Sequence, residues 1–390
     1  GAALDATLQF LTEGQHMTTE FSYLKNQFRD EEAEAIWRKI KPVVTEGRFT
    51  LGVEVDRFEE AYAAKAGSKY AVGVNSGTDA LALPLMALGA KGSEVICPAF
   101  SFIATAGAIA QAGAIPVFAD VGEDMNIDVD RIEEKITPAT SFLMPVWWGG
   151  RPPKMDKIME IANRHGIGVI CDAAQALGSS WMNKGAGAWG KVAGYSLHPL
   201  KVVNAWQDAG VICTDDQALV DKLKRLRNHG LVGRDTWLDF GLNSRLDTVA
   251  AVVSHHVLDK VDSALAAREA ISQRLFRGLS GIDGVTLVSP PVEAVCNWYL
   301  FTFLARDRNR LLAYLNDQGI QAKCHYPVSL TSQPACAKLG HSSLQPAYRL
   351  YQKSDFPGAE RAANETISLP NHEYLTMNDA DTMIAAVAAF

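Results

Sequence analysis

Five short apolar runs, separated by segments of helical pattern, constrain this chain more than anything else in it. They are YAVGV at 70–74, EVICP at 94–98, IPVFAD at 115–120, SFLMPV at 141–146 and IGVICDAA at 167–174. A strand that is apolar on both faces has no side to show to water, so helices must cover both. The alternation predicts an α/β fold with a large, mostly parallel central sheet flanked by helices. Before the runs, Phe28, Ala33, Ile36, Trp37 and Ile40 recur at helical spacing and predict a helix over 28–46. Further helices are expected at 55–66, after Asp79, and at 101–113, 128–136 and 154–165. A charged helix at 216–229 and a long one at 245–275 then lead to a smaller α+β unit. That unit is expected to hold strands at 285–288, 298–304 and 320–324, and helices at 308–317 and 378–390. The expected division is an N-terminal extension at 1–27, a large domain at 28–260 and a small C-terminal domain at 261–390. The His16-Met17 pair is read as a junction with a vector-derived leader, so residues 1–16 stay out of the fold reading.

Composition narrows the partners. Hydrophobic residues make up 48% of the chain and charged ones 21%, as in ordinary globular proteins. Net charge is -7 with no basic run, which argues against nucleic acid. No apolar stretch approaches a membrane span, and the start lacks the pattern of a secretory leader. The six cysteines form no CxxC pair, so they are expected as free thiols in a reducing, cytoplasmic compartment, with no metal site.

One lysine stands out. Lys201 lies in VAGYSLHPLKVVNAWQDAGVI, with Leu200, Val202, Val203 and Trp206 around it. Such neighbours desolvate an ammonium, and a lysine that is partly neutral can attack a carbonyl and form a Schiff base. The plainer reading is a stem laid over apolar surface with its head in water. Three other places complete a pattern. Ser76, Gly77 and Thr78 sit where a strand ends and a helix begins, a corner that attracts anions, although simple capping also explains it. Asp172 ends an apolar strand and needs a cationic or donor partner, unless it caps the next turn. Gln175 follows three residues later and can donate to an oxygen. Phe102 sits at another strand end, where it either stacks on a flat ring or fills core. Neither GxGxxG nor GxxxxGK[ST] is present, so a dinucleotide or nucleoside triphosphate is not the expected anion. Pyridoxal 5'-phosphate suits the whole set: phosphate at the corner, ring nitrogen at Asp172, carbonyl at Lys201.

At this point the chain resembles the DegT/DnrJ/EryC1/StrS sugar aminotransferases, a fold-type I group of pyridoxal-phosphate enzymes. The resembling segments are NSGTDALALPLMALG, EVICPAFSFIATAGAI, GAIPVFADV, VICDAAQALGS, YSLHPLKVVNAWQDAGVI, LRNHGL, GLNSRLD and HYPVSL, in family order over roughly 30–390. The resemblance implies that Lys201 and Asp172 are catalytic, the first as Schiff-base lysine and the second as partner of the pyridine nitrogen. It implies Gln175 at the phenolic oxygen, Gly77, Thr78 and Ser196 at the phosphate beside Ser76, and Phe102 on the ring. Asn243 matches an asparagine that reaches the phosphate of the other subunit, which implies a homodimer with shared active sites.

The departures fall elsewhere. Trp147, Trp148 and Gly149 stand where the family commonly has histidine, leucine and tyrosine, Arg151 where it has glutamine, and Thr331 where it has histidine. Trp147, Arg151, His325 and Tyr326 are therefore the substrate-binding candidates. The expected reaction moves an amino group from glutamate to a keto sugar, most simply a keto nucleotide sugar. A carboxylated sugar such as 8-oxo-3-deoxy-manno-octulosonate is the alternative, with Arg151 as its carboxylate grip. Related dehydratases carry histidine in place of the lysine, so Lys201 argues against them. A non-catalytic dimer that senses cofactor or sugar is the reading from another class.

Overall fold

The computed structural model describes residues 19–339 and 351–390. The leader junction read at His16-Met17 lies outside the described residues. All five expected strands form: β1 (Tyr70–Val74), β2 (Glu94–Pro98), β3 (Ile115–Ala119), β4 (Thr140–Leu143) and β5 (Gly168–Asp172). Two more, β6 (Val192–Ser196) and β7 (Gly210–Thr214), bracket the segment that carries Lys201. The seven make one sheet in the order β1-β7-β6-β5-β4-β2-β3. β7 runs antiparallel to both of its neighbours, and the other pairs are parallel. Six strands therefore point the same way and bring their carboxyl ends to one edge. That edge is where open α/β sheets bind ligands.

The covering helices bear out the both-faces expectation. The helix Asp79–Ala87, DALALPLMA, is apolar nearly all round and buried along almost its whole length. The helix Thr248–Leu258 is similar, and Asp247 caps it by accepting from the N–H groups of Val249 and Ala250. A three-stranded antiparallel sheet, Val285–Thr286, Phe301–Ala305 and Thr366–Leu369, makes the smaller part. Phe301, Phe303 and Ile367 pack there with Leu275, Leu311 and Met383. No helix among the described residues is long and apolar enough to cross a membrane.

Three expected elements come out differently. The helix expected over 245–275 is two, Thr248–Leu258 and Val261–Leu279, broken at Asp259-Lys260 where Lys260 leaves helical geometry. The first half packs with the large core and the second crosses to the small sheet, so one straight rod does not serve both. The stretch 128–136 gives two 3-10 turns, because the Asp128 carboxylate accepts from the Asp130 N–H and tightens the first. The strand expected at 320–324 makes only isolated bridges, Thr19 to Ile320 and Lys323 to Ser368, since each neighbour meets it for one residue. Thr366–Leu369 completes the small sheet in its place.

β1 is an edge strand, and its outward peptide groups need partners. Glu59 and Arg227, both buried, supply them at Gly73. The Glu59 carboxylate accepts from the Gly73 N–H at 2.8 Å, and the Arg227 guanidinium donates to the Gly73 carbonyl at 2.7 Å. The two side chains also pair with each other. Removing one partner strands a buried charge, so Arg227→Met should lower stability by about 3–5 kcal/mol in urea titrations. Adding Glu59→Leu to it should recover part of the loss. A single variant with a wild-type midpoint would show that the clamp contributes nothing.

Candidate active site

A cavity of about 410 Å³ opens at the carboxyl edge of the sheet. Four strand ends feed it. From β1 come Ser76, Gly77 and Thr78. Ser76 Oγ accepts from the Asp79 N–H at 3.1 Å, so Ser76 does cap the helix while it also lines the cavity. Position 77 has to be glycine, because a Cβ there would lie 2.6 Å from Ser196 Cβ and 2.9 Å from its Oγ. That close approach of two chains leaves a narrow cradle of N–H and hydroxyl donors at a helix start, which suits a phosphate.

From the end of β2 comes Phe102, 54% exposed on the cavity wall, with its ring centroid 5.7 Å from that of Tyr326. The loop places it on the surface of the cavity instead of in the core. From β5 comes Asp172, buried, with Oδ2 accepting from Thr105 Oγ1 at 2.7 Å and Oδ1 from the Ala174 N–H at 3.2 Å. Burial pushes its pKa up, against these two hydrogen bonds and the charge of Lys201. Among the described residues no cation comes within ion-pair distance of it. Gln175 accepts from the Gly149 N–H at 2.6 Å and donates to Tyr326 Oη at 3.3 Å.

From β6 come Ser196, His198 and Lys201. The Lys201 main chain is held at both ends. Its N–H donates to the His198 carbonyl at 2.7 Å, and its carbonyl accepts from Tyr23 Oη at 2.8 Å. Its Nζ donates to Tyr299 Oη at 3.3 Å. His198 has its pKa lowered by burial and then by Lys201. His325 is pushed down to about 4 by burial, with Lys323 and Lys201 adding to the effect. Both rings are therefore neutral near pH 7. Lys201 is the one lysine or arginine among the described lining residues, and it shares the cavity with Asp172 and Asp208.

The cavity thus gathers Lys201, Asp172, Ser76, Gly77, Thr78, Phe102, Gln175, Ser196, His325 and Tyr326. It does not gather Trp147 or Arg151, and both leave the substrate-binding set. Trp147 is 0% exposed and sits in the core. Arg151 is 4% exposed, lies over the Trp298 ring and donates to the Thr302 carbonyl at 3.2 Å. Gly149 and Gly150, both at positive φ, turn the chain after Trp148 and carry Arg151 away from the cavity. Asn243 is exposed outside the cavity, its carbonyl accepting from Asn75 Nδ2 at 3.3 Å. A second cavity of the same volume, lined by Phe28, Glu32, His256 and Lys260, touches no strand end of the sheet.

Sequence reasoning missed Thr105 and Tyr299. Thr105 has a signal: it is the lone hydroxyl in the otherwise small and apolar helix ATAGAIAQ. Tyr299 has none, for it reads as one more aromatic in the run CNWYLF.

The profile of the DegT/DnrJ/EryC1/StrS aminotransferase family matches residues 30–388. The dTDP-3-amino-3,4,6-trideoxy-alpha-D-glucose transaminase of Streptomyces venezuelae is 37% identical over 352 residues, 89% of this chain and 90% of that protein. The crystal structure of S. venezuelae DesV superposes with a TM-score of 0.90 at 35% identity, over 95% of this chain and 98% of that one. The NtdA structure from Bacillus subtilis, solved with bound cofactor PMP, gives 0.85 at 28%, over 95% and 84%.

His325 offers a test of the site's electrostatics. Its folded pKa of about 4 lies below the ordinary 6.5, so between those values the folded state binds fewer protons than the unfolded chain. Its contribution is complete above pH 6.5 and is lost as pH falls through that window. His325→Gln should therefore lose less stability than wild type between pH 7 and about pH 4.5, read as urea midpoints. Equal acid losses in both proteins would refute the buried, neutral assignment.

Proposed function

Since the chain belongs to the DegT/DnrJ/EryC1/StrS aminotransferase family, we propose that it moves the amino group of an amino acid, glutamate, to a keto sugar carried on a nucleotide. It is a sugar aminotransferase, and its cofactor is pyridoxal 5'-phosphate. The residues present fit that group. Asp172 is a buried carboxylate with two neutral donors and no cation, which a protonated ring nitrogen completes. The Gly77–Ser196 cradle suits its phosphate. When bound, the cofactor supplies an electron sink for the pair released from the donor's α-carbon.

The protein's own groups do the rest. Lys201 would hold the cofactor through Nζ and, when released, would serve as the base that carries the proton. Asp172 would keep the ring nitrogen protonated, and Thr105 holds Asp172 in place through its hydroxyl. Gln175 would meet the ring oxygen, Phe102 would stack on the ring, and Ser76, Gly77, Thr78 and Ser196 would hold the phosphate. His325 and Tyr326 stay as substrate-side residues. The observation that carries the reading is that one cavity joins a lysine on a fixed main chain to a buried carboxylate without a cation.

The nucleotide sugar rests on the name of the S. venezuelae relative. The carboxylated-sugar reading loses its ground, because Arg151 is buried over Trp298. The non-catalytic reading is set aside with the family and with Lys201 in the cavity. We take the protein as a homodimer with shared active sites: Asn243 does not line its own cavity and is exposed toward solvent. The nearby side chains of Trp237, Leu238 and Phe240 are exposed too, Phe240 at 102%. We place the domain boundary at 260/261, where the helix breaks, and the extension at 1–27. The free thiols suit a cytoplasmic setting.

Borohydride reduction followed by peptide mass spectrometry should place the cofactor mass on Lys201, and Lys201→Ala should abolish both adduct and turnover. Adduct on another lysine overturns the assignment. Asp172→Asn should keep cofactor in the protein yet lower kcat by roughly a hundredfold or more. Wild-type turnover in that variant would remove Asp172 from the mechanism.

A further inference from the structure

We infer that Tyr299 is a further catalytic residue, the group that holds Lys201 in its protonated form when the amine is free of the cofactor. The inference rests on Lys201 being the cofactor lysine. Nζ of Lys201 donates to Tyr299 Oη at 3.3 Å and lies 4.4 Å from the centroid of the same ring. A hydroxyl lone pair and an aromatic face both favour an ammonium over a neutral amine. Among the described residues Tyr299 Oη has no other hydrogen-bond partner.

The ring is placed by the fold around it. Trp298 adopts φ of +53°, in the left-handed region where a bulky side chain is strained. That reversal sends Trp298 into the core of the small sheet and leaves Tyr299 facing the cavity. The Tyr299 N–H donates to Asn297 Oδ1 at 2.9 Å. Asn297 is itself buried and donates to the carbonyls of Gln175 at 2.8 Å and Leu177 at 2.9 Å. A Cβ at position 150 would lie 1.7 Å from Asn297 Oδ1, so Gly150 is shaped to admit this anchor. Lys201 has its main chain fixed by Tyr23 and His198, so only its stem moves, and its end meets Tyr299.

A base that takes a proton from one carbon and delivers it to another must keep its loaded form in place between the two. The titratable groups that share the cavity with the amine are Asp172 from β5, His198 and Asp208 from its own loop, and His325 and Tyr326 from the 325–326 segment. Tyr299 is the one whose hydroxyl touches Nζ.

The test uses holoenzyme carrying the aminated cofactor, in which Lys201 is free. Trace acetic anhydride labels amines only when they are neutral, and mass spectrometry of the Lys201 peptide across pH gives the amine's midpoint. Tyr299→Phe keeps the ring and its volume but loses the hydroxyl. Its midpoint should fall by about one pH unit, with labelling below the midpoint up roughly tenfold. Tyr299→Leu also loses the aromatic face, and its midpoint should fall further. A Tyr299→Phe midpoint equal to or above wild type overturns the inference, because a purely structural tyrosine leaves the lysine's titration unmoved. Borohydride trapping on the same variants keeps the two readings apart. Adduct on another lysine defeats the functional reading, whereas an unmoved Lys201 midpoint defeats only the role of Tyr299.

Discussion

A carboxylate taken out of water at the end of β5 is the constraint on which the rest of this site depends. Asp172 sits in the middle of the sheet, paired with Gly194 of β6 on one side and bridged to Val146 on the other. Its two hydrogen bonds come from neutral donors, Thr105 and a backbone N–H, and neither supplies positive charge. Burial disfavours the ionised form unless a cation arrives. A protonated heterocycle is a cation of the kind such a position calls for, and the cavity beside it is also lined by Phe102 and by the close approach of Gly77 to Ser196. The strand order brings the cradle, the carboxylate and the lysine to one edge, because six of the seven strands share a direction.

Around that carboxylate the cavity is low in fixed charge. His198 and His325 are both held below their ordinary pKa, so neither contributes a cation near neutral pH. Beside Lys201, the donors that line the cavity are N–H groups and hydroxyls, as at Ser76, Thr78 and Ser196. The segment before the first long helix adds mechanical support. Thr19 bonds to Gly319 and Gln321, Glu20 accepts from His372, and Tyr23 reaches the Lys201 carbonyl. The same few residues thereby tie the small sheet to the lysine loop.

The amino-acid sequence by itself determined the sheet, the edge at which the cavity lies and most of the side chains that line it. Apolar runs of strand length have no alternative to a doubly covered sheet. A Ser-Gly-Thr triplet, an aspartate and a lysine placed at or after the ends of such runs come to the strand-end edge of the sheet. Tertiary structure alone decided where the side chains beyond those ends point. Trp147 follows the end of β4 as closely as Phe102 follows the end of β2, and Arg151 comes one turn later, where two glycines at positive φ direct it toward Thr302 and the core. Tyr299 reaches Lys201 across 98 positions of sequence, through a reversed backbone at Trp298 and an anchor at Asn297. Local periodicity reports burial one or two residues at a time. It carries no information on a loop's handedness or on which distant segment packs against it, and those two things aim a side chain into a cavity or away from it.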